Sequence, residues 1–97
     1  MAARFEWDEK KDRSNSLKHG IGFAAACDVF YDLNSILRPD RYVDGEERWQ
    51  TIGRMKNGSV IALVVHTIAG DTEDVLFRII SARKATPGER RLYEEGN

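Results

Sequence analysis

The sequence contains few of the residues from which disulfides, metal centres and cofactor sites are built. It has one cysteine, Cys27, and two histidines, His19 and His66, so no intrachain disulfide can form and ligands for a transition metal are scarce. It has no glycine-rich phosphate loop, no Cys-x-x-Cys pair and no His-Glu-x-x-His motif. We therefore expect a protein with no metal ion and no cofactor.

Long apolar runs are also absent. The longest, residues 60–65, is far shorter than the roughly 20 residues that a membrane-spanning helix needs. The N-terminal region is already charged at Glu6 and Asp8, unlike a signal peptide. Cys27 has apolar neighbours, which favours a small buried residue over a reactive thiol, and a lone cysteine suits a reducing compartment. We expect a cytoplasmic protein with no membrane partner.

The composition is that of a small globular protein with a charged surface. The 97 residues are 41% hydrophobic and 32% charged, so we expect one folded domain over residues 1–97. The net charge of -1 argues against a generally basic protein, but the charges are unevenly distributed. Basic side chains cluster at Lys10, Lys11, Arg13 and Lys18 and again at Arg78, Arg83, Lys84, Arg90 and Arg91. A local basic surface is therefore compatible with this net charge.

The N-terminal third predicts a strand followed by two helices. Residues 4–7 read as a short strand, and Asp8 is placed to cap a helix that runs to His19 and stops at Gly20. Apolar residues at positions i, i+3, i+4 and i+7 then predict a second helix over residues 22–31.

The remainder predicts four strands and a final helix. The strands cover residues 35–42, 48–55, 59–68 and 75–83. Pro39 indicates that the first is an edge strand, and Asn57-Gly58 is a strong hairpin signal. Thr86 and Glu89 form the pattern of a helix capping box. The expected fold is α+β, with two layers: an antiparallel sheet of about four to five strands, two N-terminal helices and one C-terminal helix.

Arginines on the predicted strands are the main candidates for chemistry. Alternation places Arg48 and Arg54 on one face of their strand and Trp49 on the other. Two arginines on one strand face suit contacts to phosphate. Trp49 is either a core residue or a ring that stacks on a nucleic-acid base.

Five other candidates have a structural and a functional interpretation. In a regular strand Arg78 and Arg83 point to opposite faces unless a β-bulge intervenes, so we do not expect both at one phosphate. His66, at the end of an apolar strand, is more typical of a hydrogen-bonded core residue than of an active site. Lys18 and His19 either complement the end of the first helix or act on phosphate and protons. These residues are compatible with metal-free phosphodiester cleavage.

Four stretches occur together in an order and spacing typical of one family. They are Phe5, Glu6, Trp7 and Asp8 with Lys11 and Asn15; Lys18, His19 and Gly20 with Phe23, Ala26, Val29 and Phe30; Gly45, Glu46, Glu47, Arg48 and Trp49 with Ile52 and Gly53; and Arg78, Ile79, Ile80, Ser81, Ala82 and Arg83 with Ala85, Thr86, Glu89, Arg90, Tyr93 and Glu94. With them the chain resembles, over nearly its whole length, the BrnT ribonuclease toxins of bacterial type II toxin–antitoxin systems.

The resemblance implies a RelE-like fold and a metal-independent endoribonuclease that blocks translation. In related toxins the substrate's own 2′-hydroxyl attacks the adjacent phosphate. The implied partner is a BrnA-like antitoxin with a DNA-binding domain, and the complex represses its own operon, so that DNA is reached only through the antitoxin. A dimer, or a heterotetramer with the antitoxin, is expected. The alternative is a non-catalytic module that binds its antitoxin and acts only in transcriptional autoregulation.

The resemblance also implies residue roles. The expected catalytic residues are Lys18, His19, Arg48, Arg54, His66, Arg78 and Arg83. The arginines are expected to bind phosphate, and His19 or His66 to transfer protons. Glu46, Glu47 and Glu89 are candidates for the general base. The expected base-stacking residues are Trp49, Phe77 and Tyr93. One of Arg78 and Arg83 is expected to be structural or to face the antitoxin.

Overall fold

A five-stranded sheet is the centre of the computed structural model, which describes residues 2–96. Its strands are β1 (Ala2–Glu6), β2 (Ile36–Val43), β3 (Glu46–Arg54), β4 (Ile61–Gly70) and β5 (Asp74–Lys84). The spatial order is β1-β5-β4-β3-β2, which puts β2 at an edge, as Pro39 indicated, and the apolar β4 in the middle.

The sheet is mixed, so the expected antiparallel sheet is wrong in one respect. Strands β2 to β5 form an antiparallel meander, but β1 pairs with β5 in parallel. Short turns predict antiparallel neighbours only for strands that are consecutive in sequence. Because helices separate β1 from β2, no turn specifies its partner, and β1 pairs with the edge that the meander leaves at β5.

The helices begin and end at the residues that the sequence indicated. Helix α1 spans Glu9–His19, with the Asp8 side chain accepting from two backbone N–H groups and Gly20 in the left-handed conformation (φ 75°). The predicted second helix is divided into α2 (Phe23–Ala26) and a 3₁₀ turn (Cys27–Tyr31). Helix α3 (Pro87–Glu95) starts with the predicted capping box. None of the helices within residues 2–96 is both long and apolar enough to cross a membrane.

Helices cover both faces of the sheet, which corrects the expected two layers. Ala62 and Val64 of β4 pack in one core cluster with α2 and the 3₁₀ turn, whereas Ile61 and Leu63 pack with Tyr93 of α3. Successive residues of a strand point to opposite faces, so these clusters lie on opposite sides of the sheet. We call the side of α2 the covered face and the side of α3 the open face, because α3 covers only part of it.

A β-bulge in β5 changes which side chains share a face. Val65 of β4 lies opposite Ser81, but the next residue, His66, lies opposite Ile79, so that Ile80 is an extra residue. As a result Arg83 lies opposite Leu63 and Arg78 lies opposite Thr67. Leu63 and Thr67 are four residues apart on β4 and share a face, so Arg78 and Arg83 both point to the open face. The expectation of opposite faces, which assumed a regular strand, is therefore wrong.

Helix α1 covers the part of β5 that β1 leaves unpaired. Strand β1 pairs only with residues 74–78 of β5. Beyond them the buried side chain of Asn15 donates to the Ala82 carbonyl oxygen (2.8 Å) and accepts from the Ala82 N–H (3.1 Å). A side-chain amide thus replaces a neighbouring strand and satisfies both backbone groups at this edge.

Candidate functional site

Polarity on the open face increases with distance from α3. We use the word row for residues that lie directly opposite one another on neighbouring strands. The row beneath α3 consists of Ile36, Ile52, Leu63 and Arg83. The next row consists of Arg38, Gln50, Val65 and Ser81. Beyond them lie Thr67 and Arg78, together with Arg48, which alternates with Trp49 on β3. The uncovered end of this face is therefore polar and carries arginine side chains.

Arg48 has a buried donor without a partner. Its Nε atom is inaccessible to solvent and makes no hydrogen bond within the part of the chain that the structure describes. An unpartnered buried donor costs about 1–3 kcal/mol, and such groups are rare in native proteins. A ligand oxygen that reached Nε after a shift of this side chain would accept its hydrogen bond and remove the cost.

Glu46 and Arg78 form an ion pair beside Arg48. The carboxylate and guanidinium atoms are 2.5 Å apart, and both side chains are about 40% exposed. Glu46 points to the same side as Arg48 because it is two residues earlier on β3. We call Glu46, Arg48, Thr67 and Arg78 the arginine corner. Strands lie about 4.8 Å apart, so the backbones of Arg48 and Arg78 flank β4 at a separation of about 10 Å.

A cleft adjoins the arginine corner. It has a volume of about 380 Å³, and its lining includes Glu46, Glu47, Trp49, Thr67 and Arg78. Trp49 lies opposite His66, so its Cβ points to the covered face, as alternation predicted. Trp49 nevertheless lines the cleft and is partly exposed. The cleft therefore combines an aromatic residue with Arg78.

Glu89 joins two arginines where α3 begins. It accepts two hydrogen bonds from Arg83 (2.7 and 2.9 Å), and its carboxylate lies 3.6 Å from the Arg38 guanidinium. It also accepts from the backbone N–H of Thr86 (2.9 Å). The bidentate contact with Arg83 holds the pKa of Glu89 at about 2 and raises the pKa of Arg83. Glu89 is therefore ionised at neutral pH, and an acid this strong is a weak base.

Lys18 and His19 lie at the edge of β5. Together with other residues of α1 they line a cleft of about 350 Å³ whose opposite side includes Ile80 and Ser81. The structure thus places these two residues beside the β5 bulge and not among the side chains of the arginine corner.

His66 and Phe77 are on the covered face. The His66 ring is fully buried; its Nδ1 lies 3.2 Å from the Thr67 carbonyl oxygen and its Nε2 lies 2.7 Å from the Thr51 hydroxyl oxygen. Because a carbonyl only accepts, Nδ1 carries the proton and Thr51 donates to Nε2. Burial lowers the pKa of His66 to about 4, so the ring is neutral at pH 7. The Phe77 ring packs against His66, Phe5 and Phe30.

Cys27 also belongs to the covered side of the sheet. Burial raises the pKa of its thiol to about 11, and its Sγ lies 3.3 Å from the Phe23 carbonyl oxygen. The thiol is protonated at neutral pH, which agrees with the interpretation of Cys27 as a structural residue and not a nucleophile.

Arg54 and Tyr93 lie at the other end of β3 from Arg48. The Arg54 guanidinium is 5.8 Å from the centre of the Tyr93 ring and donates to the Gly58 carbonyl oxygen. The Tyr93 hydroxyl donates to Asp32 (2.6 Å), and the residue is 5% exposed. This end contains a cleft of about 510 Å³, lined partly by Asp32 and Arg54, but none of the other arginines on the open face.

The expected site residues therefore do not all meet at one place. Arg48 and Arg78 lie at the same end of the open face, in the arginine corner, whereas Arg83 binds Glu89. Lys18, His19, His66 and Arg54 lie elsewhere. Sequence analysis missed Arg38, because β2 was read only as a polar edge strand and its register with Gln50 depends on long-range pairing. No group of three or more histidine, cysteine, aspartate or glutamate side chains among residues 2–96 is placed to hold a metal ion.

The protein is thus an α+β protein, and the arginines on the uncovered part of one sheet face form a candidate surface for binding anions. A family model described as the ribonuclease toxin BrnT of type II toxin–antitoxin systems matches residues 7–89. The chain belongs to this family, which confirms the resemblance seen in the sequence. Membership implies a ribonuclease toxin and an antitoxin protein as its partner. No curated protein matches the chain.

Proposed function

We propose that the chain is a metal-independent endoribonuclease that binds the scissile phosphate of RNA at the arginine corner. The observation that carries this proposal is the buried, unpartnered Nε of Arg48. It lies on the same face as Arg78 and near a cleft lined partly by Trp49. A hydrogen-bond donor to phosphate, a second cation and a ring for stacking on a base therefore occur in one region.

The proposed reaction uses the substrate's own 2′-hydroxyl as nucleophile. The 2′-oxygen bonds to phosphorus while the bond from phosphorus to the 5′-oxygen breaks, which leaves a 2′,3′-cyclic phosphate and a 5′-hydroxyl. Arg48 and Arg78 stabilise the negative charge that develops on the phosphate oxygens. Glu46 accepts the proton of the 2′-hydroxyl, and water at the exposed rim protonates the 5′-oxygen.

Glu46 is favoured as the base over Glu89 and His66 by its position. Its carboxylate is partly exposed and adjoins Arg78, so it is accessible to substrate. Glu89 has a pKa of about 2 and its oxygens are occupied by Arg83 and Thr86. His66 is buried on the opposite face and neutral, so it supports the fold and does not transfer protons to RNA.

Cleavage of labelled RNA by the purified protein in excess chelator tests the proposal. We expect Arg48→Ala to lower the single-turnover rate about 100-fold, the usual effect of removing one donor to a transition-state oxyanion. Arg54→Ala is the matched control, since Arg54 lies on the same strand and face but at its other end, and its rate should stay within a few-fold of wild type. Products should carry 2′,3′-cyclic phosphates.

Two outcomes would contradict the proposal. Equal rates for Arg48→Ala and wild type would place the site elsewhere. No cleavage by the folded wild type on any RNA would favour the non-catalytic module that acts only in transcriptional autoregulation.

We further propose that the antitoxin is a BrnA-like, DNA-binding protein encoded by the neighbouring gene, and that a dimeric or heterotetrameric complex represses the operon. The net charge of -1 supports DNA contact through the antitoxin. Induced expression in the bacterial cytoplasm should block translation and arrest growth, and co-expression of the neighbouring gene should restore it. Operator DNA should be shifted in a gel by the complex and not by this chain alone.

A further inference from the structure

A second basic surface lies outside the arginine corner. Lys10, Lys11, Lys18 and His19, all on α1, line a cleft of about 350 Å³ whose opposite side includes Ile80 and Ser81 of the β5 bulge. We call it the α1 cleft. Residues 11, 14, 15 and 18 share one side of the helix and Lys10 lies at its margin, so Lys11 and Lys18 face the cleft together. Arg13 lies on the side opposite these two lysines.

The cations of the α1 cleft are not neutralised by the protein. Within residues 2–96, none of the three lysines and neither nitrogen of His19 forms an ion pair. Two carboxylates at the start of α1 bind backbone groups: Asp8 accepts from the first turn of the helix, and Asp12 accepts from the Phe23 N–H (2.8 Å). The cleft therefore presents lysines that form no ion pair among the described residues, in a protein with a net charge of -1.

The α1 cleft adjoins the open face. Ser81 lines the cleft and also ends the row that starts with Arg38. Asn15 holds α1 against β5 through its two hydrogen bonds to Ala82, so the cleft has a fixed position relative to the arginine corner. An RNA strand that lay across the open face and passed over β5 would enter the cleft.

We propose that the α1 cleft binds backbone phosphates of the RNA strand that flank the cleavage site, an inference that rests on the proposed function. Lys10 to Lys18 span about 12 Å along the helix axis. This length is several times the rise of about 3.4 Å per nucleotide in a stacked strand. Lysines act as point charges, which suits contacts to phosphate without selection of a base sequence.

The salt dependence of RNA binding tests this inference. The probe is a single-stranded 2′-O-methyl RNA, which lacks the nucleophile and is not cleaved. Each phosphate contact in a single strand contributes about 0.7 to the slope of log affinity against log salt concentration. The double variant Lys11→Ala/Lys18→Ala should lower the slope by about 1.4 and weaken binding at low salt. Arg13→Ala removes a cation from another side of α1 and should keep the wild-type slope.

The outcomes separate this inference from the proposed function. One outcome is that the wild type binds the probe and cleaves ordinary RNA, but the double variant has the wild-type slope. The α1 cleft is then not an RNA site, and the proposal for the arginine corner still stands. If the double variant instead loses affinity only for the neighbouring gene's protein, the cleft binds an acidic segment of that protein and the inference is overturned. If the folded wild type neither binds nor cleaves RNA, both proposals fail.

Discussion

The two faces of the sheet come from the same strands but differ in what they contain. On the covered face, Phe23, Val64, Ile79 and the neutral His66 are fully or almost fully buried. On the open face, α3 covers only the rows nearest to it, and Arg48 and Arg78 lie beyond. Because side chains alternate between the two faces except at the bulge, β3, β4 and β5 each contribute both to the covered core and to the candidate site. Substitutions at adjacent positions should therefore have different effects.

The largest expected effect is loss of stability on the covered face. Phe23 is fully buried and packs against Trp7, so Phe23→Ala should lower the free energy of unfolding by about 3–5 kcal/mol through lost contacts and an internal cavity. Arg48→Ala on the open face should change it by less than about 1 kcal/mol, because the lost guanidinium has an unpartnered donor. Urea unfolding checks both values, and similar losses would contradict the contrast between the faces.

The next largest effect is a pH dependence that comes from His66. Its folded pKa, about 4, lies below its ordinary value of 6.5, so the unfolded chain binds the proton more readily between these limits. The contribution of the neutral His66 ring to stability is therefore fully present above pH 6.5 and is lost as the pH drops towards 4. Between pH 7.5 and pH 5 the wild type should lose about 2 kcal/mol by this route.

His66→Gln should remove most of that loss, since glutamine does not titrate and is able to accept from Thr51. His19→Gln is the matched control and should keep the wild-type loss, because His19 lies outside the core. Urea unfolding at the two pH values measures the difference. An unchanged loss in His66→Gln would mean that the buried ring does not control acid stability.

The smallest effect is expected where the open face meets α3. Glu89→Gln removes the charge that pairs with Arg83 and Arg38, and should cost about 1 kcal/mol at pH 7, with allowance for the exposure of the arginines. The capping box is kept, because glutamine also accepts from Thr86. The folded pKa of Glu89, about 2, lies below its ordinary 4.5, so the difference from wild type should shrink as the pH falls from 4.5 towards 2. A difference that persists at the acid limit would show that charge is not its cause.

Local signals made much of the fold predictable. The caps at Asp8 and Thr86, the stop at Gly20 and the turn at Asn57-Gly58 each depend on a few adjacent residues, and the structure contains all of them. The parallel pairing of β1, the third layer that α3 adds and the bulge at Ile80 were not predicted, because each depends on contacts between segments distant in sequence.

The candidate site was predictable to a similar extent. Alternation correctly placed Arg48 and Trp49 on opposite faces, because it is a local property of the strand. The presence of Arg78 on the face of Arg48 depends on one extra residue in β5, and the partner of Arg38 depends on the register of β2. The sequence also gave no signal that Phe77 and Tyr93 pack inside the protein and not against a ligand.

The bulge at Ile80 has a consequence for how the chain tolerates insertions and deletions. It reverses the odd–even phase of β5, so the two halves of this strand obey opposite rules for which residues point inward. Loss of one residue from positions 79–82 would remove the extra residue and leave a regular strand, in which the side chains on both sides of the lesion keep their present faces. The same loss from positions 75–77 would act as a frameshift acts on a reading frame, because it would exchange inward and outward side chains on one side of the lesion.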